Sequence, residues 1–265
     1  MKDIIVNAYK NVEDINTFDS ESYREYKKER LNYQSNIVNF FKKIKRENFN
    51  LLDIGSGSSA LAYALVNKGM LGRADCVEPS FSRHNFAEQW KGEKEKYSNI
   101  FNYNLDIKNF DFKKDYYDTI TIVDNTFSYI GIYYTEYEIH DILKNIFYSL
   151  SDNGILIIEV SLFKNFIRQL NVSTNQVVQE FELKTNLGLW EYRLIKDNIM
   201  NIQSKYINSK CEIKEKEENS RVYSEDELFS LFKNIGFKNI KSFADFNQNR
   251  YNSELSEKLI MVCKK

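Results

Sequence analysis

The spacing of apolar residues changes along the chain, and its central part alternates between two patterns. Between residues 49 and 160, short apolar runs alternate with segments whose apolar residues recur at the three-to-four spacing of a helix. The predicted strands are 49–55, 73–78, 99–104, 117–123 and 155–160, the last after a turn at 152–154. Strands that alternate with helices form a parallel sheet with helices on both faces. This part therefore predicts an α/β fold with a Rossmann-like, doubly wound sheet.

A second pattern follows the fifth predicted strand. From about residue 175 to residue 223 apolar and polar residues alternate with period two, which predicts inserted antiparallel strands, with the charged stretch 212–221 as a solvated hairpin tip. Ser224 then opens a helix through a capping box with Glu227, and Gly236 ends it. Strands at 238–243 and 258–262 close the chain as a hairpin, so the mostly parallel sheet is predicted to carry a reversed C-terminal strand.

The N-terminal part has a third character. Residues 1–20 show little pattern, whereas aromatic and aliphatic residues recur at helical spacing from residue 20 to about residue 46. We predict three units: an arm and lid helix at 1–46, a main domain at 47–174 and 222–265, and the inserted strands at 175–221.

Composition narrows the class of protein. The 265 residues include 38 acidic and 37 basic side chains, so no strong overall charge favours nucleic acid or an anionic membrane. The three cysteines are scattered, with no paired spacing beside histidine, and we therefore expect neither a metal site nor disulfides. Because no signal peptide and no apolar run of membrane-spanning length is seen, we expect a soluble, cytoplasmic protein.

The first strand runs into a glycine turn that is typical of nucleotide-binding sheets. Asp53 ends the strand, Gly55 permits the tight turn, and Gly57 removes a side chain where ligand and backbone approach closely. The following helix offers unpaired N–H groups at its N-terminus. A carboxylate at Asp53 suits a ligand with a cationic or hydrogen-donating group.

Two further acids end the next strands. Glu78 lies 21 residues after Gly57, where a carboxylate can accept hydrogen bonds from both ribose hydroxyls. Asp106 can accept a hydrogen bond from the exocyclic amine of an adenine, while Ile107 covers the base. Gly55, Gly57 and Ala60 also satisfy the weak G-x-G-x-x-A pattern, so NAD, FAD and S-adenosylmethionine all stay open on these residues alone.

A resemblance separates these ligands. The segments DIGSG at 53–57, VEPS at 77–80, LDI at 105–107, the stretch 117–129 and the ending at 236–240 and 259–262 resemble class I S-adenosylmethionine-dependent methyltransferases. The match covers roughly residues 20–160 and 222–265. Within that family, DNTFSY at 124–129 is similar to glycine N-methyltransferase-like enzymes, and EVSLFKNF at 159–166 to nucleotide-sugar N-methyltransferases.

The resemblance implies a role for each matching position. Gly55, Ser56 and Gly57 would line the methionine and ribose parts of the cofactor, and Asp53 would face its amino group. The other implied contacts are Glu78 with Pro79 at the ribose, Asp106 with Ile107 at the adenine, and Asp124 with Asn125 beside the methionine chain near the sulfonium.

Each of two arginines allows two interpretations. Arg30 is a candidate clamp for the cofactor carboxylate, because such enzymes often carry an arginine on the helix before the first strand; an ordinary surface arginine fits equally. Arg83 stands where the family usually has an apolar residue under the adenine, and it either stacks by its guanidinium plane or lies on the surface.

The implied chemistry needs little from the protein beyond positioning, because a sulfonium methyl is already activated. Asn125, Tyr129 and Tyr26 are the candidate catalytic residues, with an amphipathic helix face as the alternative for Tyr26. Neither His84 nor His140 stands at an obvious base position.

The expected acceptor is a nitrogen or oxygen of a small soluble metabolite, a nucleotide-linked sugar or similar compound being favoured. The inserted strands would roof the acceptor pocket, form a homodimer contact, or both. A non-catalytic cofactor-binding module, a dinucleotide-dependent oxidoreductase and a nucleic-acid methyltransferase are the rivals. The last is disfavoured because Pro79 is the only proline, which excludes an Asn/Asp-Pro-Pro-aromatic motif after strand four.

Overall fold

A computed structural model describes residues 20–44, 47–92, 95–169, 176–183, 186–195, 198–207 and 213–265, although some side chains within these ranges, including those of Tyr23 and Tyr26, lie outside the description. The described part of the chain begins with two helices, α1 (Ser20–Tyr33) and α2 (Ser35–Lys43). The sequence predicted one helix there. The interruption is a single residue, Gln34, whose backbone stays right-handed at φ −74° and ψ −8°.

Within the described ranges the main sheet has seven strands, and the predicted alternation of strands and helices is confirmed. In chain order the elements are β1 (Phe49–Ile54), α3 (Ala60–Val66), β2 (Leu71–Val77), α4 (Phe81–Lys91), β3 (Ile100–Tyr103), β4 (Tyr117–Ile122), α5 (Thr126–Tyr133), α6 (Glu136–Ser149), β5 (Leu150–Ser161) and α7 (Lys164–Gln169). After the insertion follow α8 (Glu225–Ile235), β10 (Lys238–Phe243) and β11 (Lys258–Lys264).

The strand order is β10-β11-β5-β4-β1-β2-β3. β1 pairs in parallel with β2 and β4, β4 with β5, and β2 with β3, whereas β11 runs antiparallel to β5. The reversed C-terminal strand is therefore confirmed. Because parallel strands end at the same edge, the residues after β1 to β5 meet in one crevice.

The two faces of this sheet carry separate apolar clusters. Leu51 of β1 packs with residues of α2, α3 and α4, while its neighbour Leu52 packs with residues of α5, α6 and α8. Alternate side chains of a strand point to opposite faces, so one strand serves both clusters. Within the described residues, no helix combines the length and the apolarity needed to cross a membrane.

The insertion forms its own antiparallel sheet, in the order β6 (Gln176–Leu183), β7 (Asn186–Ile195), β8 (Ile199–Ile207) and β9 (Ile213–Arg221). The predicted insertion is confirmed, but the hairpin tip at 212–221 is wrong. β9 pairs with β8 along its length, from Ile207↔Ile213 to Ile199↔Arg221. Charged side chains sit at the exposed positions of a strand as readily as in a loop, as Glu217 does, while Ser220 nearby is fully buried.

Two other local predictions differ from the structure. Residues 152–154 lie inside β5 rather than before it: Asn153 has a φ of +62°, and the pairing with β4 shifts between Tyr117 and Thr119, so the expected turn is an irregularity within a longer strand. Helix α5 was not predicted. Most of its residues are aromatic or aliphatic, so the sequence shows no polar face opposite an apolar one that would mark a helix. Phe127 and Ile130 are buried in the core.

Candidate active site

Asp53 lies buried at the end of β1, with 2% of its surface exposed. The hydroxyl of Thr121, on the neighbouring strand β4, donates a hydrogen bond of 2.7 Å to its Oδ1. Burial raises the pKa of Asp53 to about 7; the Thr121 bond opposes this, and the negative charges of Glu78 and Asp124 add to it. Asp53 is thus an acid poised to ionise when a cation arrives.

The glycine turn after Asp53 tolerates no side chain at its first position. Gly55 has a φ of +70°, and a Cβ there would lie 2.3 Å from Cγ2 of Thr126. The hydroxyls of Ser56 and Ser58 in the same turn are buried and have no hydrogen-bond partner among the described residues. Buried hydroxyls without partners are costly unless a ligand satisfies them.

Glu78 joins the loop after β2 to this turn. Its Oε2 accepts from the N–H of Gly57 and its Oε1 from the N–H of Ser80, both at 2.8 Å. Ser80 holds the N-cap position of α4, but its hydroxyl makes no cap bond and lies 3.1 Å from that of Ser82. The Asn104 amide, after β3, donates to the carbonyls of Glu78 and Pro79 at 3.0 and 3.2 Å.

Asp106 and Ile107 follow β3, the strand that lies next to β2. Oδ1 of Asp106 accepts from the N–H of Lys108 at 2.9 Å and from the hydroxyl of Tyr134 at 2.7 Å. Ile107 is 5% exposed and packs in the cluster that contains Val77. The described hydrogen bonds use Oδ1 of Asp106, which orients the carboxylate.

Arg83 faces the crevice. Its Nη1 would lie 3.5 Å from a Cβ placed on Gly57, so the guanidinium stands over the glycine turn. Its positive charge is also one of the influences that lower the pKa of Asp124. The side chain thus lies at the glycine turn, and its stacking on the adenine stays a prediction.

Asp124 and Asn125 follow β4 in two consecutive left-handed conformations, with φ of +56° and +64°. The Asp124 N–H donates to Oε2 of Glu159 at 2.9 Å. Its carboxylate accepts from Arg30 Nη2 at 3.2 Å and from the Tyr33 hydroxyl at 3.0 Å. Burial acts to raise the pKa of Asp124, but Arg30, Tyr33 and Arg83 together lower it, so the group is an anion.

The Asn125 amide is held at both ends. Its Oδ1 accepts from the N–H of Ser161 and its Nδ2 donates to Oγ of Ser220, each at 2.9 Å. This side chain therefore connects β4, β5 and the inserted strand β9. Left-handed conformations favour asparagine among the non-glycine residues, which suits the position.

The other candidate catalytic residues are spread differently. Tyr129 is half-buried on α5, while Tyr26 belongs to α1 and its side chain is outside the described part. The structure brings Tyr33 to Asp124 instead, three residues from Arg30 on the same helix. Sequence analysis missed Tyr33, Glu159, Ser220 and Lys258. Only the three-residue spacing of Arg30 and Tyr33 offered a signal.

These groups fit the cofactor that the resemblance implies. The unpartnered serine hydroxyls, the buried acid Asp53 and the oriented carboxylates of Glu78 and Asp106 match a ligand with ammonium, ribose and adenine groups. Among the described residues no group of three or more His, Cys, Asp or Glu side chains is arranged to hold a metal ion.

Comparisons with known proteins identify the family and the fold of the chain. The sequence profile of a family described as "Methyltransferase domain" matches residues 23–242. A search of curated protein sequences finds no significant match.

Solved structures share the fold at low identity. The CcbJ methyltransferase from Streptomyces caelestis is 15% identical with a TM-score of 0.73, over 87% of this chain and 88% of that one. CalS10 from Micromonospora echinaspora, an amino pentose methyltransferase solved with S-adenosylmethionine bound, is 11% identical with a TM-score of 0.65, over 93% and 97%. The sugar N-methyltransferase KedS8 from Streptoalloteichus is 12% identical with a TM-score of 0.61, over 88% of each chain.

The family profile spans most of the chain, and the fold and the crevice agree with it. The chain therefore belongs to the methyltransferase-domain family, and it shares its fold with these solved methyltransferases.

Proposed function

We propose that this protein is a cytoplasmic methyltransferase that transfers the methyl group of S-adenosylmethionine to a nitrogen or oxygen of a small soluble metabolite, with an amine of a nucleotide-linked sugar or similar compound favoured. The observation that carries the proposal is the 2.9 Å hydrogen bond between Asn125 and Ser220. It ties the end of β4, beside the cofactor crevice, to the inserted sheet.

The inserted sheet would serve as a roof for the acceptor. β9 packs along α5, and a Cβ on Gly131 of α5 would lie 2.9 Å from Cδ of Arg221. A crevice closed by a sheet admits a small molecule more readily than a duplex or a folded protein. The same sheet is our proposed homodimer contact, which the elution volume and light scattering of the purified protein would test.

The chain's own residues would hold the cofactor as follows. Asp53 accepts from its ammonium group, Glu78 and Pro79 border the ribose, Asp106 and Ile107 border the adenine, and Gly55, Ser56 and Gly57 provide the backbone cradle. Arg30, Arg83, Asp124 and Asn125 border the methionine end. When bound, the cofactor supplies an activated methyl group on its sulfonium, so the protein's task is to orient an acceptor in line and to exclude water.

Nitrogen is favoured over oxygen by the ionisable groups at the crevice. They are carboxylates, tyrosines, arginines and Lys258, and in the described part of the chain no hydrogen bond joins His84 or His140 to them. Burial lowers the pKa of His84. A neutral amine needs no strong base to attack a methyl group, whereas a hydroxyl does. Two of the solved structures with the same fold are those of an amino pentose methyltransferase and of a sugar N-methyltransferase. They support an amino sugar as the class of acceptor.

The test is release of S-adenosylhomocysteine across matched pairs of nucleotide-linked sugars that carry either an amino or a hydroxyl group at one carbon. We expect turnover with amino sugars and little with their hydroxyl partners. Turnover with oligonucleotides alone would contradict the proposal, and cofactor binding without turnover on any compound would favour a non-catalytic module.

A further inference from the structure

Asp124 is fixed from two directions. Its backbone N–H is bound by Oε2 of Glu159 at 2.9 Å, and its carboxylate is bound by the Tyr33 hydroxyl at 3.0 Å, next to Arg30. Two consecutive left-handed non-glycine residues are strained, so the Asp124–Asn125 turn needs such contacts to persist.

Two of the residues that contact Asp124, Glu159 and Tyr33, share a further partner, Lys258. Its Nζ donates to Oε1 of Glu159 and lies 3.4 Å from the Tyr33 hydroxyl. Lys258 is the first residue of β11 and pairs in register with Ser161, two residues beyond Glu159 on β5. One ammonium from the last strand thus contacts both β5 and α1.

Burial makes this ammonium necessary. Glu159 is 2% exposed, and a carboxylate so far from water needs a partner charge. Burial acts to lower the pKa of Lys258, but the charge and hydrogen bond of Glu159 raise it above its ordinary value. Burial and the charges of Asp124 and Glu159 raise the pKa of Tyr33 to about 12, so its hydroxyl stays protonated and donates to Asp124.

We propose that Lys258 is a positioning residue for cofactor binding, because it holds Glu159 and Tyr33, which in turn fix the backbone and the carboxylate of Asp124. Lys258 acts through these residues and does not itself touch the cofactor. The inference rests on the proposed placement of Asp124 beside the methionine end of the cofactor.

The test is calorimetric titration of the full chain with S-adenosylhomocysteine. Lys258→Met should weaken binding roughly tenfold, about the loss of one charge-assisted hydrogen bond at the site. Lys258→Arg, which keeps the charge, should restore most of the affinity. Lys264→Met is the matched control, since Lys264 is exposed at the other end of the same strand and should bind like the wild type.

A double-mutant cycle separates positioning from a merely structural role. If Lys258 acts through Asp124, Lys258→Met in an Asp124→Asn background should cost much less than it does alone; independent effects would add. Additive losses, or a Lys258→Met variant with wild-type affinity, would overturn the proposal.

A folding defect is controlled separately. Should Lys258→Met fail to fold because Glu159 is left as an unpaired buried charge, the Glu159→Gln, Lys258→Met double variant removes both charges. It should fold and still bind the ligand more weakly than the wild type, and wild-type affinity would refute the inference. If the wild type itself binds no S-adenosylhomocysteine, the assignment of the crevice fails first, which is a distinct outcome.

Discussion

The hydroxyl of Thr121 donates a 2.7 Å hydrogen bond to the buried carboxylate of Asp53, across the β1–β4 pair. Thr121 is also the residue that pairs in register with Asp53. The bond stabilises the anion, yet burial dominates and holds the pKa of Asp53 near 7. The acid at the centre of the crevice therefore titrates close to neutral pH.

Cofactor binding should release a proton from Asp53. Below pH 7 the group is largely protonated, and an ammonium ligand favours the anion, so affinity should rise as the pH rises through about 7. Calorimetry in buffers of different ionisation enthalpy measures the released proton. Asp53→Asn should abolish the release and weaken binding at pH 8 roughly tenfold. Asp118 lies near the start of β4, at the opposite end of that strand from Thr121. The control variant Asp118→Asn should therefore keep the proton release and the affinity of the wild type.

Ionisation of Asp53 should strengthen cofactor binding but lower the stability of the ligand-free protein. Its pKa is raised from 3.8 to about 7 on folding, so the folded state binds the proton more tightly. Its stabilising contribution is complete below the unfolded pKa and is lost as the pH rises through about 7. Without ligand, Asp53→Asn should melt a few degrees above the wild type at pH 8. A lower melting temperature at that pH would contradict this reading.

Gly55 should be far less replaceable than Gly69. Both have left-handed φ values, +70° and +67°, but a Cβ at Gly69 meets nothing within 4 Å, whereas at Gly55 it would lie 2.3 Å from Thr126. Gly69→Ala should cost about 1 kcal/mol of unfolding free energy, from the backbone alone. Gly55→Ala should cost about 1–3 kcal/mol more through overpacking and should lose cofactor binding. Urea denaturation measures both, and equal losses would show that the Thr126 contact is relieved cheaply.

Arg30 should matter for cofactor binding and little for stability. Its contact with Asp124 is partly exposed, at 27% and 45% of the two side chains, and exposed ion pairs contribute about 0–1 kcal/mol. Arg30→Met should therefore leave the melting temperature nearly unchanged while raising the KM for S-adenosylmethionine roughly tenfold, if the arginine binds the cofactor carboxylate. Lys28→Met, exposed on the same helix, is the control. A wild-type KM would show that Arg30 does not bind the cofactor carboxylate and is an ordinary surface arginine.

Ser220 should affect the acceptor rather than the cofactor. Ser220→Ala removes the oxygen that accepts from Asn125, which loosens the link between β9 and the crevice. We expect the KM for the acceptor to rise several-fold, because the variant loses binding energy for the acceptor in both its ground state and its transition state. The Kd for S-adenosylhomocysteine should stay within about twofold of the wild type. An unchanged KM for the acceptor would show that the inserted sheet does not contribute to the acceptor site.

The parts of the site that follow single strands were predictable from the sequence. Asp53, Gly55, Glu78 and Asp106 each lie at the carboxyl end of a parallel strand or within three residues beyond it, and these ends meet at one edge of the sheet. Periodicity locates the strands, so it also locates these residues. Their cofactor contacts stay predictions until a ligand is bound.

What only the tertiary structure decided is the assembly around Asp124. Lys258 meets Tyr33 across 225 positions of sequence, and Ser220 meets Asn125 across 95. No local pattern records such pairs, because each depends on which strands become neighbours and in what register. The same reason explains β9: alternating charges are compatible with a solvated loop, and only pairing with β8 makes them a strand.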